Sequence, residues 1–357
     1  MTGLVQQSPA LTREWLDISQ VGLLRLGYKA SAEQFGPTQL LEFASLAENL
    51  GFDTVAVSDH FQPWRHHGGH APASFPLLGA MGERLETARF GTSVLTPTMR
   101  YHPSVVAQAF ATLGSLSPGR VFLGVGTGEA MNETPATALE WPGAKERRLR
   151  LAEAIELIRR LWTEERVSFE GDYYRTETAT IYDRPEEPVP ILVAAGAPLA
   201  AKLAGRVGDG FICTSGKRKE LYDELLSAVE EGARAAERDP GTIERFIEVK
   251  VSYDQDLDRA RNECGWWAAL ALSADEKSGI EDPLELERLA DENIERAPSR
   301  FIVADDPDVC AERIAEYWRM GFSTLVFHAP GNDQPRFLKS FARDVMPRLR
   351  ELASVAA

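Results

Sequence analysis

Asp53-Thr54-Val55-Ala56-Val57-Ser58-Asp59-His60-Phe61-Gln62-Pro63-Trp64 opens on a run rich in β-branched residues and closes on a carboxylate, an imidazole and a proline-kinked aromatic loop. A helix-like segment precedes it, with Leu40, Leu41, Phe43, Ala44, Ala47 and Leu50 at helical spacing, Pro37 near its start and Gly51 at its stop. Helix, short strand and polar exit in that order predict that Thr54–Ser58 is a strand with Asp59 and His60 at its C-terminal end. Parallel-sheet enzymes carry their chemistry at such ends. A histidine can shuttle a proton near neutral pH, and Trp64 offers an aromatic wall to a flat ring or a cation.

The same alternation continues in both directions. Strands are expected at Leu23–Tyr28, Ala88–Val94, Arg120–Gly126, Val189–Gly196, Gly210–Thr214, Phe246–Tyr253 and Thr324–His328. Helical patterns lie between them, among them Phe75–Leu85, Ser104–Leu116, Ala144–Leu161, Leu199–Val207 and Asp308–Met320. Two stretches depart from the pattern: a small hairpin of Val167–Phe169 with Asp172–Arg175, and a polar, helical insertion over about 257–299 that carries Trp266, Trp267 and Lys277. Eight strand-helix alternations without a composition break predict a single (β/α)8 barrel over 22–357, with insertions after strands four and seven and a short extension at 1–21. In such a barrel Asp59, His60, Ser93, Glu129, Gly196, Thr214 and Lys217 share one mouth, although they are far apart in sequence.

Composition narrows the partners. Lys and Arg number 39 against 54 Asp and Glu, a net charge of −15, so the surface as a whole repels nucleic acid and anionic lipid. A phosphate-bearing ligand must then be held by a local basic cluster. Cys213, Cys264 and Cys310 lie far apart without metal spacing, which suits a reducing cytoplasm. The loop with His66, His67 and His70 lacks a carboxylate or cysteine at ligand spacing, so no metal is expected. No signal peptide or membrane span is expected either. Gly124, Gly126 and Gly128 alternate at a strand exit and let a ligand approach the backbone, but no G-x-G-x-x-G opens a helix there, so a dinucleotide fingerprint is absent.

Several separate blocks carry a resemblance: Gly27 through Phe35, Val57 through Trp64, Gly91 through Thr98, Phe122 through Glu129, Gly208 through Lys217 and Leu325 through Gly331. In these blocks the chain resembles the bacterial luciferase-like superfamily, and within it the glucose-6-phosphate dehydrogenases that use the deazaflavin coenzyme F420. The resemblance runs from about Leu26 to the C-terminus. It implies that Asp59, Thr96, Thr127, Gly128, Asn132, Gly196, Ala197, Leu199 and Ala200 line the F420 site, and that Ser93-Val94 is a non-proline cis peptide beneath the cofactor's central ring. It implies that His60 and Glu129 handle protons and that Trp64 lies beside the reacting centre. The phosphate of the substrate falls to Thr214, Lys217, Lys277 and Arg300, and the assembly implied is a homodimer. One departure is visible. The family run Ala-Ala-Gly-Gly-Pro stands here as Ala194-Ala195-Gly196-Ala197-Pro198, and the added methyl is expected to shift the pose of the cofactor's phosphate tail or to require a local backbone adjustment.

Oxidation of a sugar at C1 needs a base for the hydroxyl proton, a hydride acceptor and an acid that neutralises the charge arriving on that acceptor. With the resemblance, His60 is assigned as base and Glu129 as acid, although the residue types alone permit the reverse. Residue types also permit a plainer role for Glu129, that of capping a helix after Gly128. The main alternative function is an F420-dependent alcohol or hydroxymycolic acid dehydrogenase, with the same cofactor site and no phosphate on its substrate; the cation set argues against it. A sugar-6-phosphate dehydrogenase of broader scope is the nearer variant.

Overall fold

The computed structural model describes residues 24–356, and the expected extension at 1–21 lies outside the described residues. Eight parallel strands close on themselves: β1 (Arg25–Ala30), β2 (Thr54–Val57), β3 (Arg89–Thr92), β4 (Val121–Val125), β5 (Ile191–Ala194), β6 (Gly210–Thr214), β7 (Glu244–Tyr253) and β8 (Thr324–His328). Each pairs with its sequence neighbours, and β8 pairs with β1 through Arg25↔Thr324 to Tyr28↔Phe327, which completes the barrel. The alternation read from sequence is therefore the architecture.

The barrel interior is layered. Ala56, Phe122, Leu192, Ile212, Phe246 and Val326 pack against one another inside it. Side chains on one face of a strand recur every second residue. One step toward the C-terminal ends therefore brings Ser58, Ala194, Thr214, Glu248 and His328 to the same face, with Lys29 from β1 beside them. An apolar plug thus underlies a polar floor, and the floor is where a ligand can sit. Outside the strands, helices bury regular apolar stripes. In the helix Ala144–Thr163 these are Leu151, Ala154, Ile155, Ile158, Leu161 and Trp162, and in Lys219–Ala235 they are Tyr222, Leu225, Leu226 and Val229.

Some boundaries differ from expectation for local reasons. β5 starts at Ile191, after Pro190, which has no N–H to give to the ladder. The hairpin pairs Val167–Glu170 with Arg175–Ala179. Asp172, Tyr173 and Tyr174 form its turn instead of its strand, because their three backbone N–H groups donate to the Glu153 carboxylate at 3.0, 2.9 and 2.6 Å. Over 257–299 the chain forms helices Leu257–Glu263 and Pro283–Asp291 with 3-10 stretches Cys264–Ala271 and Ile294–Arg300. Polar in composition, this excursion still has its own small core of Trp267, Leu272, Leu286 and Phe301. The longest connections are Val125 to Ile191 and Tyr253 to Thr324. No described helix is long and apolar enough to cross a membrane.

At the opposite end of the barrel, Arg89 grips Glu244 with two bonds of 3.0 Å, and Thr324 Oγ1 donates to the same carboxylate at 2.7 Å. Burial alone would raise the Glu244 carboxyl, but Arg89 outweighs it and brings the pKa down to about 2. A depressed carboxylate contributes stability above its unfolded pKa and loses it as pH falls through the folded value. The contribution is roughly 3 kcal/mol at neutral pH, lost between about pH 4.5 and 2. Urea unfolding of wild type and Glu244→Gln across that window is expected to show a stability gap that closes as the pH falls. A gap that stays constant to pH 2 would show that ionisation of Glu244 is not its source.

Candidate active site

The strand exits converge as expected. Asp59, His60, Ser93, Val94, Thr96, Thr127, Gly128, Glu129, Asn132, Gly196 and Thr214 line one cavity over the polar floor. Sequence separation brings nothing together here; closure of the barrel does. Ser93-Val94 is a cis peptide, as the resemblance implies.

His60 leaves β2 with its Nδ1 3.1 Å from Oε1 of Glu33, at an angle that makes the approach a charge contact without a formed hydrogen bond. Glu33 is buried and also accepts from Ser58 Oγ at 2.7 Å. Burial pushes its carboxyl up, yet His60, Lys29 and Ser58 outweigh that and hold it below the usual range. Glu33 therefore presents a negative charge to one ring nitrogen of His60. Such a partner steadies the imidazolium and orients the ring for proton transfer at the other nitrogen. In the sequence Glu33 falls within the Gly27–Phe35 block, and nothing there marks it as the partner of a residue 27 positions on.

Glu129 stands at the N-cap position of the helix Ala130–Thr137, but its side chain makes no capping bond. The helix-cap role is thus not what it does. Its Oε2 instead accepts from Asn132 Nδ2 at 3.3 Å, and the Asn132 oxygen accepts from the backbone N–H groups of Phe61 and Gln62 at 2.8 and 2.9 Å. Asn132 thereby ties Glu129 to the loop that carries His60, in addition to facing the cavity. Its three bonds are worth about 0.5–1.5 kcal/mol each, so Asn132→Ala is expected to lower turnover about tenfold. Steady-state kinetics that leave kcat within twofold of wild type would free the loop from this tie.

Asp59 is committed to the protein. Oδ2 takes Arg100 Nη2 at 2.7 Å, and Oδ1 takes Ser74 Oγ at 2.7 Å and Tyr101 OH at 3.3 Å. Arg100 also pairs with Glu133, whose Oε2 accepts from the Arg100 backbone N–H at 2.9 Å. Burial raises the Glu133 carboxyl against these bonds. Arg100 and Glu133 were not singled out in the sequence, because a lone Arg after Pro97-Thr98-Met99 and a helix-internal Glu carry no motif.

Ala197, Leu199 and Ala200 do not line the cavity, and Leu199 is 65% exposed. They occupy the uncapped start of the helix Pro198–Val207, directly after Gly196. Ala197 has φ −148° and ψ 154°, ordinary extended backbone, so its methyl requires no adjustment. At Gly196 an added Cβ would meet nothing within 4 Å, whereas at Gly128, with φ +80°, it would strike Thr96 Cγ2 at 2.8 Å. Open backbone at Gly196, a packed turn at Gly128 and an uncapped helix start compose a cradle for a flat ring with an anionic tail. The residues present fit the deazaflavin that the resemblance implies.

Thr214 reaches the cavity, while Lys217, Lys277 and Arg300 gather just beyond it. Arg300 Nη1 donates to Gly216 O at 2.7 Å, and its buried Nε has no partner among the described residues. Burial and then Arg300 lower the Lys217 pKa. Burial lowers Lys277 as well, with Glu129 opposing and Lys217 and Arg300 adding to it. Lys277 Nζ lies 4.8 Å from the centre of the Trp64 indole, so the insertion reaches back to the loop after β2; Trp64 itself does not line the cavity and packs against the insertion's small core. That reach is held in place by Arg296, which pairs with Glu276 at 2.8 Å and donates to Ala271 O at 2.9 Å, and by Gln62 Nε2 donating to Glu281 O at 3.2 Å.

Comparison with known proteins places this geometry. The model of the luciferase-like monooxygenase family matches residues 21–324. The F420-dependent glucose-6-phosphate dehydrogenase of Nakamurella multipartita is 59% identical over 331 residues, covering 92% of this chain and 97% of that protein. The enzyme of the same name from Mycolicibacterium smegmatis is 58% identical over 333 residues, covering 92% and 99%. Among solved structures, an F420-dependent secondary alcohol dehydrogenase in complex with an F420-acetone adduct superposes with a TM-score of 0.87 at 33% identity, covering 92% of this chain and 99% of that one. The chain belongs to the luciferase-like monooxygenase family and, within it, to the family of the F420-dependent glucose-6-phosphate dehydrogenases.

Proposed function

We propose that this protein oxidises glucose 6-phosphate at C1 to 6-phosphogluconolactone, passing the hydride to coenzyme F420. The observation that carries the reading is the meeting of His60 and Glu129 in one cavity, with Lys217, Lys277 and Arg300 within electrostatic reach of one another just beyond its lining. When bound, the deazaflavin supplies the hydride-accepting ring. His60, backed by Glu33, takes the C1 hydroxyl proton as the C1–H bond gives up its hydride. Glu129 carries the second proton, which balances the negative charge of that hydride. Trp64 excludes water from the reacting side, and the backbone at Thr127, Gly128 and Gly196 admits the cofactor. Thr96 and the start of the helix at Ala197, Leu199 and Ala200 receive its polar and anionic parts.

The cation set favours a phosphorylated substrate over the bare alcohol of the solved relative. Burial and the neighbouring cations lower the pKa of Lys217 and of Lys277, so the cluster remains costly until an anion lies within it. The protein acts as a cytoplasmic homodimer in this reading, with residues 22–357 forming the barrel domain. Mixing the protein with F420 and glucose 6-phosphate and following loss of the cofactor's visible absorbance tests the proposal directly. Turnover with NADP or FMN in place of F420 would overturn the cofactor, and equal turnover of glucose and glucose 6-phosphate would overturn the substrate.

A further inference from the structure

One group of charges inside the barrel is used neither by the proton-handling pair nor by the cations assigned to the phosphate. On β7 the alternate side chains Phe246, Glu248 and Lys250 climb from the apolar plug toward the end of the strand at the cavity, with Lys250 beside Glu248 and behind the lining. Glu248 lines that cavity and sits among three partners: Lys29 Nζ at 3.2 Å, His328 Nδ1 at 3.3 Å and Lys250 Nζ at 3.6 Å. Lys29 is fully engaged, since its ammonium also donates to the carbonyl oxygen of Ser93. Burial keeps His328 toward its neutral form against the pull of Glu248. Two ammonium groups therefore share the Glu248 carboxylate, and of the two only Lys29 also steadies Glu33.

Lys250 is the less firmly held of the two. The residue is 2% exposed, and its ammonium is held by one long ion pair of 3.6 Å to an oxygen that His328 also contacts. An ammonium has three donors, and one long ion pair leaves capacity that a ligand can fill. Its backbone N–H donates to Ser215 Oγ at 2.8 Å, which fixes it beside the turn leading to Lys217. Burial lowers its pKa to about 8 despite Glu248, and Arg300, Lys29 and Lys217 push it further the same way. The phosphate cations are thus within electrostatic reach of it. Arg300, with its own buried unpartnered Nε, shows the same unfilled capacity on the neighbouring wall.

We propose that Lys250 is a fourth, inner cation of the substrate's phosphate site, donating to a phosphate-monoester oxygen from within the barrel while Lys217, Lys277 and Arg300 meet it from the mouth. The assignment rests on the phosphosugar reading above and adds the residue that such a reading lacked. A dianion there supplies acceptors for the Lys250 ammonium and for the unpartnered Arg300 Nε. Glu248 acts through Lys250 as a positioning residue, holding the ammonium without saturating it.

Inorganic phosphate is the probe. Its dissociation constant is measured by titration calorimetry for wild type, Lys250→Met and Lys250→Gln, with F420 binding by fluorescence and thermal melting as checks on the fold. Glutamine keeps a polar stem at the site should methionine prevent folding. Both variants are expected to bind F420 within about twofold of wild type and to bind phosphate about tenfold or more weakly, with KM for glucose 6-phosphate rising by a similar factor and kcat changing less. A folded variant that binds phosphate as wild type does would overturn the assignment, as would a loss of kcat with phosphate affinity intact. If wild type fails to reduce F420 with glucose 6-phosphate, the functional reading falls; if it turns over normally and the variants keep their phosphate affinity, only the role of Lys250 falls.

Discussion

Replacement of His60 by alanine is expected to lower turnover by roughly 10² to 10⁴ while F420 affinity stays near that of wild type, because a positioned general base contributes about that factor. The separation of the two effects follows from the site. His60 projects from the exit of β2 against Glu33, and nothing about its ring shapes the backbone cradle at Gly128 and Gly196. The buried Glu33 carboxylate is held ionised by His60, Lys29 and Ser58 in spite of its burial, so a protonated imidazole has a charge waiting for it. Loss of the imidazole leaves that charge to Lys29 and Ser58 alone, which costs some stability as well as rate. Pre-steady-state absorbance of F420 with glucose 6-phosphate, beside a direct binding titration, separates the two. A variant that keeps more than a third of the wild-type rate would remove His60 from proton transfer.

The barrel was legible because its signals are local and repeated. Each helix shows its stripe, each strand its β-branched run, and the polar residues expected at strand exits meet at one cavity. What escaped reading was the inward face of the strands. In Phe246-Ile247-Glu248-Val249-Lys250-Val251-Ser252-Tyr253 the alternation of apolar and charged residues resembles a strand with one wet face. A strand in this barrel has no wet face, because helices cover its outside, so Glu248 and Lys250 have only the interior to occupy. The fold class, once inferred, contained the signal. Glu33 and Arg100 were hidden for a different reason. Each acts on a neighbour from another segment, Glu33 on His60 and Arg100 on Asp59, and such pairings follow from tertiary closure alone.

Asp59 shows how a site residue can be located correctly and still differ in what it does. The sequence placed it at the exit of β2, and it lines the cavity as expected. Its two oxygens, however, accept from Arg100, Ser74 and Tyr101, and Arg100 in turn joins Glu133 on the helix that begins after Glu129. The carboxylate thus links the His60 loop to the Glu129 helix from below, while Asn132 links them from within the cavity. Two ties hold His60 and Glu129 at a fixed separation, which is the geometric condition for the two proton transfers proposed for them.

The phosphate end is where the largest discrimination is expected. Lys217→Ala/Arg300→Ala removes two charge-assisted contacts worth roughly 1.5–3 kcal/mol each, so kcat/KM for glucose 6-phosphate should fall by about 10² to 10⁴. Free glucose makes neither contact and should lose little, so the preference for the phosphorylated sugar collapses by the same factor. The remaining cations set the floor of that collapse. Lys277 stays over Trp64, tied down by Arg296 and Glu276, and Lys250 stays within the barrel, so some preference for the phosphate survives the double substitution. Because Arg300 also donates to Gly216 O, its loss loosens the turn that presents Lys217, and the two substitutions are expected to be less than additive. The comparison is made on kcat/KM for both sugars in wild type, each single variant and the double variant. An unchanged ratio of the two sugars in the double variant would mean that these cations do not hold a phosphate, and the dehydrogenase of an unphosphorylated alcohol would become the better description of the site.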